Sequence, residues 1–259
     1  MITNKTIELK SEKLQILARA KKYKGTLPFF YPANLFPELE PLKENWKAIR
    51  DEIVRFENHN GFIKGLDSNP YVAPQFEGVN WSNIFLENFS IRHHKNRKKF
   101  PFTSSVLDQI PNLSFAVISV LSPHTQIKPH YGDTNGIVRC HLALIIPDKL
   151  PACGIRVGEE EKEWEEGDLV LFTEAYLHSA WNNTSSKRYV LVVDIVPRFI
   201  SATKNKVCIK LLGAQSFNYL ENRFTILKNI PDSVLGIIHF SLSLFWWLYL
   251  PIQRRLKIL

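Results

Sequence analysis

Between Trp81 and Pro197 the chain alternates short apolar runs with turn residues, and this texture limits the fold more than any other feature. The runs are WSNIFLENF, SFAVISVLS, VRCHLALIIP, GIRVG, DLVLF and RYVLVVDIVP. Val, Ile, Leu and Phe dominate them, and Gly, Pro, Asp and Asn separate them, which is the pattern of many short strands joined by turns. No helical period of about ten residues or more intervenes, so nothing supports βαβ units and a parallel sheet. The sequence predicts a mainly β protein, a sandwich or jelly-roll barrel with helices packed outside it.

Two helices are expected upstream. Residues 6–24 carry Ile7, Leu14, Leu17 and Ala20 roughly in helical phase, with Gly25 as a stop. From Pro41 to Glu57, Leu42, Trp46, Ile49 and Ile53 fall on one face. Residues 58–80, rich in Gly, Pro and Asn, read as loop. With 45% hydrophobic and 22% charged residues, a chain of 259 residues can bury a sizeable core, which excludes disordered and fibrous classes. Cys140, Cys153 and Cys208 are too few for a disulfide framework and show no CxxC spacing.

The formal charge of +8 is unevenly spread. Residues 1–25 hold seven Lys/Arg against two acids, and residues 198–259 hold nine against two, which leaves the middle at −4. Basic ends point to an anionic surface. In the C-terminal part, VLGIIHFSLSLFWWLYLP (234–251) has no formal charge and precedes Gln253-Arg254-Arg255-Leu256-Lys257. It sits at the lower length limit for a bilayer span, and Trp246, Trp247 and Tyr249 beside the cations resemble an interfacial aromatic belt. The N-terminus has no apolar h-region, so the expectation is a cytoplasmic protein associated with a membrane through 234–251, as an interfacial or re-entrant segment. The basic run RHHKNRKK, with His93 and His94, reads as solvated surface. No interleaved aromatic pattern or known motif supports nucleic-acid binding. The expected organisation is a basic N-terminal helix (1–25), a β domain (26–198) and a basic, hydrophobic tail (199–259).

Chemistry-bearing residues concentrate in the β region. His130 follows Pro129 and precedes Gly-Asp-Thr-Asn, at a strand–turn junction. Arg139 and His141 lie two apart on an apolar strand and share a face. If that face is interior, a cation there is costly unless it meets an anion; the alternative turns it to solvent, although both faces of this strand are apolar. His178 lies beyond the strand LVLF, and Arg188 opens RYVLVVDIV with Val190 and Val192 on its own face. Two separated histidines near strand ends suit an open ferrous site, and inward guanidinium groups suit a dicarboxylate.

PHYGDTN…RCHLALIIP, CGIRVGEEEKEWEEGDLVLF and HSAWNNTSSKRYVLVVDIV together resemble the aspartyl/asparaginyl β-hydroxylase family, as does FPELEPLKENWKAIRDEI upstream. That resemblance spans roughly residues 30–197. It implies a double-stranded β-helix, the jelly roll, and an Fe(II)- and 2-oxoglutarate-dependent dioxygenase. By motif, His130 and His178 match the iron-binding histidines, and Arg139 with His141 the pair at the C1 end of 2-oxoglutarate. Arg188 matches the arginine at the distal carboxylate and Ser119 the serine that assists it. Where the wider dioxygenase pattern carries Asp or Glu two residues after the first histidine, this chain has Gly132, as these hydroxylases do. Asp133, one residue further, is displaced from the ligand position and is left to assist through water or to orient the loop. The resemblance implies cofactors Fe(II), 2-oxoglutarate and O2, and hydroxylation of an unactivated C–H in a peptide or amino acid. A membrane-associated lipid acyl-chain hydroxylase is the alternative, favoured by the tail. A non-catalytic barrel binding module is the alternative of another class.

Overall fold

The computed structural model describes residues 11–17, 22–60 and 80–256, except the side chains of residues 232, 233 and 254. Among the described residues, eleven strands form two antiparallel sheets. They are β1 (Phe30–Tyr31), β2 (Trp81–Asn88), β3 (Ile91–Arg92), β4 (Leu113–Leu121), β5 (Thr125–His130) and β6 (Val138–Ile145). After these come β7 (Cys153–Val157), β8 (Glu160–Lys162), β9 (Leu169–Phe172), β10 (His178–Asn182) and β11 (Arg188–Ile195). The major sheet runs β1-β9-β6-β11-β4-β2-β3 and the minor sheet β5-β10-β7-β8, the jelly-roll architecture that the apolar runs predict.

The central strands read as continuous apolar runs because the major sheet is covered on both sides. On β6, Val138, Cys140, Leu142 and Leu144 face a core shared with Leu42, Ile49, Ile53 and Leu107. These come from α1 (Glu40–Glu44), α2 (Trp46–Asn60) and α4 (Pro101–Leu107). Leu42 and Ile49 are fully buried, each worth about 1.5–3 kcal/mol by transfer. The expected helix over 41–57 is thus present as two segments parted at Asn45, whose amide donates to the Pro41 carbonyl at 2.8 Å. The opposite face of β6 carries Arg139, His141 and Ala143 toward the minor sheet, so the interior alternative for that face holds. A third layer, α5 (Lys204–Arg223) and α6 (Asp232–Leu256), packs Val207, Cys208 and Leu211 onto Phe89, Ile91 and Ile137.

Three expectations need correction or limit. Residues 11–17 are extended, not helical: Glu12 bridges Ile200 and Ile16 bridges Thr134. The apolar residues there answer to tertiary partners, Leu14 packing beside α5 and Leu17 beside Tyr23 and Leu27. Residues 1–10 and 18–21 of that expected helix lie outside the described set, as do 61–79 of the expected 58–80 loop, while 58–60 complete α2. RHHKNRKK is not wholly solvated surface. It forms the short helix α3 (His94–Lys99), in which Arg97 is buried and donates to the Ser104 carbonyl at 3.0 Å and to Asp108 at 2.7 Å.

Candidate active site

The minor sheet brings together histidines 48 positions apart in the chain because β5 and β10 are neighbours in it, and His178 pairs directly with His130. Their ring centroids lie 4.1 Å apart. Each ring is held by a main-chain carbonyl two residues upstream: Nδ1 of His130 meets the Lys128 oxygen at 2.8 Å, and Nδ1 of His178 the Tyr176 oxygen at 2.9 Å. A carbonyl only accepts, so both Nδ1 atoms carry the hydrogen and both Nε2 atoms carry the lone pair, the tautomer a metal requires. Burial pushes the His130 imidazole down to about 4. It pushes His178 well below the ordinary histidine value, and His130 beside it adds to that. Both rings are neutral and ready to ligate at neutral pH.

The position two residues after His130 has no room for a side chain. A Cβ on Gly132 would meet the carbonyl oxygen of Glu174 at 2.5 Å, and the Gly132 amide donates to that same oxygen at 2.9 Å. No carboxylate can stand at this position without moving the Glu174 main chain. Asp133 does not join the histidines in a three-donor cluster, and among the described residues no such cluster of His, Cys, Asp or Glu exists. Its backbone carbonyl instead accepts from Leu17, and the Thr134 hydroxyl donates to the Gln15 carbonyl at 2.6 Å. Asn135 accepts from the Gln15 amide at 2.8 Å, so residues 11–17 strap down the loop that follows His130.

Behind the pair, a row of side chains leads through the sandwich. Phe172 lies 5.7 Å from His178, His141 lies 5.1 Å from Phe172, and Trp164 stacks at 6.0 Å on His141. The Arg188 guanidinium then sits over the Trp164 ring at 4.7 Å, a cation–π contact. Arg188 is 1% exposed, yet its Nε and Nη1 have no hydrogen-bond partner among the described residues. Neither do the Trp164 indole nitrogen and Nδ1 of His141. Burial lowers the Arg188 guanidinium to about 10 and His141 well below its usual value, the latter reinforced by Arg188. Unmet buried donors of this kind cost stability unless an acceptor-rich group completes them, so their clustering fits a carboxylate-bearing ligand. Ser119 faces β11 opposite Val190, diagonal to Arg188, and its hydroxyl oxygen accepts from the Trp81 indole at 2.7 Å.

Arg139 differs from Arg188. Its Nε and Nη2 donate to the two oxygens of Asp194 at 2.8 and 2.7 Å, and its Nη1 pairs with Glu174 at 2.6 Å. Burial alone would lower it, but Asp194 and Glu174 hold its charge more firmly than in water. Burial pushes the Glu174 carboxyl up, and Arg139 beside it works against that rise. The structure therefore places all six expected residues on the interior of one sandwich, and adds Trp164, Glu174 and Asp194. Sequence reasoning passed over Trp164 because it stands in the acidic stretch EKEWEEGD, although a lone large aromatic among acids was the available signal. A cleft of about 390 Å³ is lined by His178 together with Pro129, Leu177, Arg156 and Trp181.

Comparison with known proteins places this architecture. The chain is 32% identical to the ornithine lipid ester-linked acyl 2-hydroxylase of Rhizobium tropici over 65% of its length and 60% of that protein. It is 32% identical to the human aspartyl/asparaginyl β-hydroxylase over 61% of its length, which is 21% of that protein. A prolyl-4-hydroxylase structure from Pseudomonas putida aligns at TM-score 0.39 and 13% identity over 60% of this chain and 88% of that one. The profile of the aspartyl/asparaginyl β-hydroxylase family matches residues 43–197, more than half of the chain. The chain belongs to the aspartyl/asparaginyl β-hydroxylase family.

Proposed function

We propose that this protein is an Fe(II)- and 2-oxoglutarate-dependent hydroxylase acting on an acyl chain of a polar membrane lipid. The observation that carries the cosubstrate assignment is the set of unmet polar atoms on Arg188, Trp164 and His141, one row of contacts behind a histidine pair whose Nε2 atoms bear lone pairs. His130 and His178 would hold the iron. Arg188 would bind the distal carboxylate of the keto-diacid, with the Ser119 hydroxyl, already accepting from Trp81, free to turn its hydrogen toward it. His141 would donate at the C1 end. Arg139, held rigid by Asp194 and Glu174, would border that end without reorganising. When bound, iron and the keto acid supply the coupling of dioxygen reduction to oxidative decarboxylation that inserts oxygen into an unactivated C–H. The protein's share is to orient the keto acid and keep its binding row dry, which Phe172 and Trp164, each 1% exposed, accomplish.

The lipid substrate is supported by the similarity to the Rhizobium acyl 2-hydroxylase and by the apolar helix α6. A second reading, hydroxylation of Asp or Asn in a peptide, is supported by the similarity to the human β-hydroxylase. Succinate release with iron and ascorbate, assayed on polar lipid extracts and on Asp- and Asn-containing peptides, separates the two. Lipid-stimulated turnover that His178→Ala abolishes is expected. Turnover stimulated only by peptide would transfer the assignment to the second reading, and activity surviving rigorous iron chelation would end both.

A further inference from the structure

The helix α6 has two unlike faces. One is fastened to the body: Leu250 is 4% and Gln253 0% exposed, the Trp246 indole donates to the Ser216 hydroxyl at 2.8 Å, and the Gln253 amide donates to the Arg92 carbonyl at 3.2 Å. At the crossing with α5, a Cβ on Gly213 would meet the Ser243 hydroxyl oxygen at 2.6 Å, so the helices touch closely. The other face is bare. Ile237, Phe240, Leu244, Trp247, Leu248 and Ile252 are 45–69% exposed and recur at helical spacing. Contiguous apolar surface of this kind marks an interaction site.

We propose that α5 and α6 form a foot that seats the protein on the surface of an anionic bilayer, with the bare face of α6 dipped into the headgroup–acyl boundary. Charge selects this occupant. Lys206 and Lys210 line the same groove as Phe240, Leu244 and Trp247, and residues 198–259 carry nine Lys/Arg against two acids. Cations rimming an apolar stripe match anionic headgroups above acyl chains. Two copies of this chain meeting through the same face would bring like charges together. Val234–Gln253 is long and apolar enough to cross a bilayer, but crossing would require α6 to leave α5 and β3, breaking the Trp246 and Gln253 contacts. Ile16, which lines this groove, bridges Thr134, four residues past His130. The foot would bring the histidine pair to the membrane that the lipid reading requires, yet it rests on surface geometry and not on that reading.

The test is flotation of the full chain with vesicles of phosphatidylcholine alone or mixed with phosphatidylglycerol. Binding to the anionic vesicles that falls as salt rises is expected. The exposed pair Phe240→Ser with Trp247→Ser should cut bound protein about tenfold or more with an unchanged thermal melt. Lys206→Glu with Lys210→Glu should remove the preference for phosphatidylglycerol. Equal flotation on neutral vesicles, or flotation untouched by the Phe240/Trp247 pair, overturns the proposal. So does wild-type protein that resists alkaline carbonate extraction, which marks a span, or a lipid-free dimer that the same pair dissociates. None of these measurements reads turnover, so failure of the hydroxylase assignment and failure of the foot are told apart.

Discussion

Arg188 places a positive charge on the inner face of the major sheet with two nitrogens unmet, and this single residue separates binding from folding. Replacing an unpaired buried cation with an apolar side chain of similar length removes a desolvation cost. Arg188→Met is expected to raise the Tm of the ligand-free protein, by about 1–3 kcal/mol of stability, while raising the 2-oxoglutarate KM about 10- to 100-fold through loss of charged hydrogen bonds. Thermal melts with and without 2-oxoglutarate, set beside the KM, read both effects. A fall in both stability and affinity would make Arg188 a structural residue. The histidines predict a pH effect of defined sign. Their buried rings bind protons less readily than in the unfolded chain, so between about 6.5 and about 4 the unfolded state holds more protons. Stability of the metal-free protein should fall as pH drops through that window, measured by urea midpoints at several pH values, and His178→Phe should flatten the slope.

Elements decide which of these residues meet. The His130–His178 pair exists because β5 and β10 are in register, and Gly132 lets β5 leave that register beneath Glu174. Gly132→Ala should destabilise by about 1–3 kcal/mol, since the obstacle is backbone and not a mobile side chain. Fe(II) or Co(II) affinity should drop with it, followed by calorimetry or visible absorption. Gly132→Asp should fare no better, and a tighter metal site in that variant would show that the Glu174 segment yields. At the other end of β10, the buried Asn182 amide donates to the carbonyls of Leu121, Ser122 and Ser186 and its oxygen accepts from Thr184. Asn182→Ala should cost about 2–4 kcal/mol in denaturant unfolding, at about 1 kcal/mol for each hydrogen bond.

The strands β4, β6, β9 and β11 were legible because burial on both faces makes each of them a largely apolar run, while β2 and β7 showed through the apolar residues they bury. Arg188 stood out as the polar residue that opens such a run, and His130 and His178 as histidines near strand ends. Residues 11–17 were misread because what holds them is remote: Asn135, the Asp133 carbonyl and Phe199. No periodicity records a partner more than a hundred residues away. Glu174 and Asp194 were invisible for a related reason, since a carboxylate that clamps a buried arginine looks in sequence like any solvated acid.

At the scale of the whole molecule, the C-terminal helices are part of the core. Val207, Cys208 and Leu211 are fully buried against Phe89, Ile91 and Ile137, and each buried apolar side chain is worth about 1.5–3 kcal/mol. A chain cut after Arg198 is therefore expected to aggregate or to melt well below the intact protein, as light scattering and circular dichroism would report. A soluble, cooperatively melting fragment would show that α5 and α6 are an appendage. The consequence for experiment is that the role of the tail is best probed by substitution on its bare face and not by deletion.

The cross-strand pairing of His130 with His178 also makes the site a register gauge. Side chains on a strand alternate between faces, so sliding β5 by one residue against β10 would turn one imidazole away and leave the other alone. A centre with a third side-chain donor could survive such an error in part; the proposed two-histidine centre could not. Capture of a single metal ion would then report, in any variant or refolding trial, that the smaller sheet has closed in its one correct alignment.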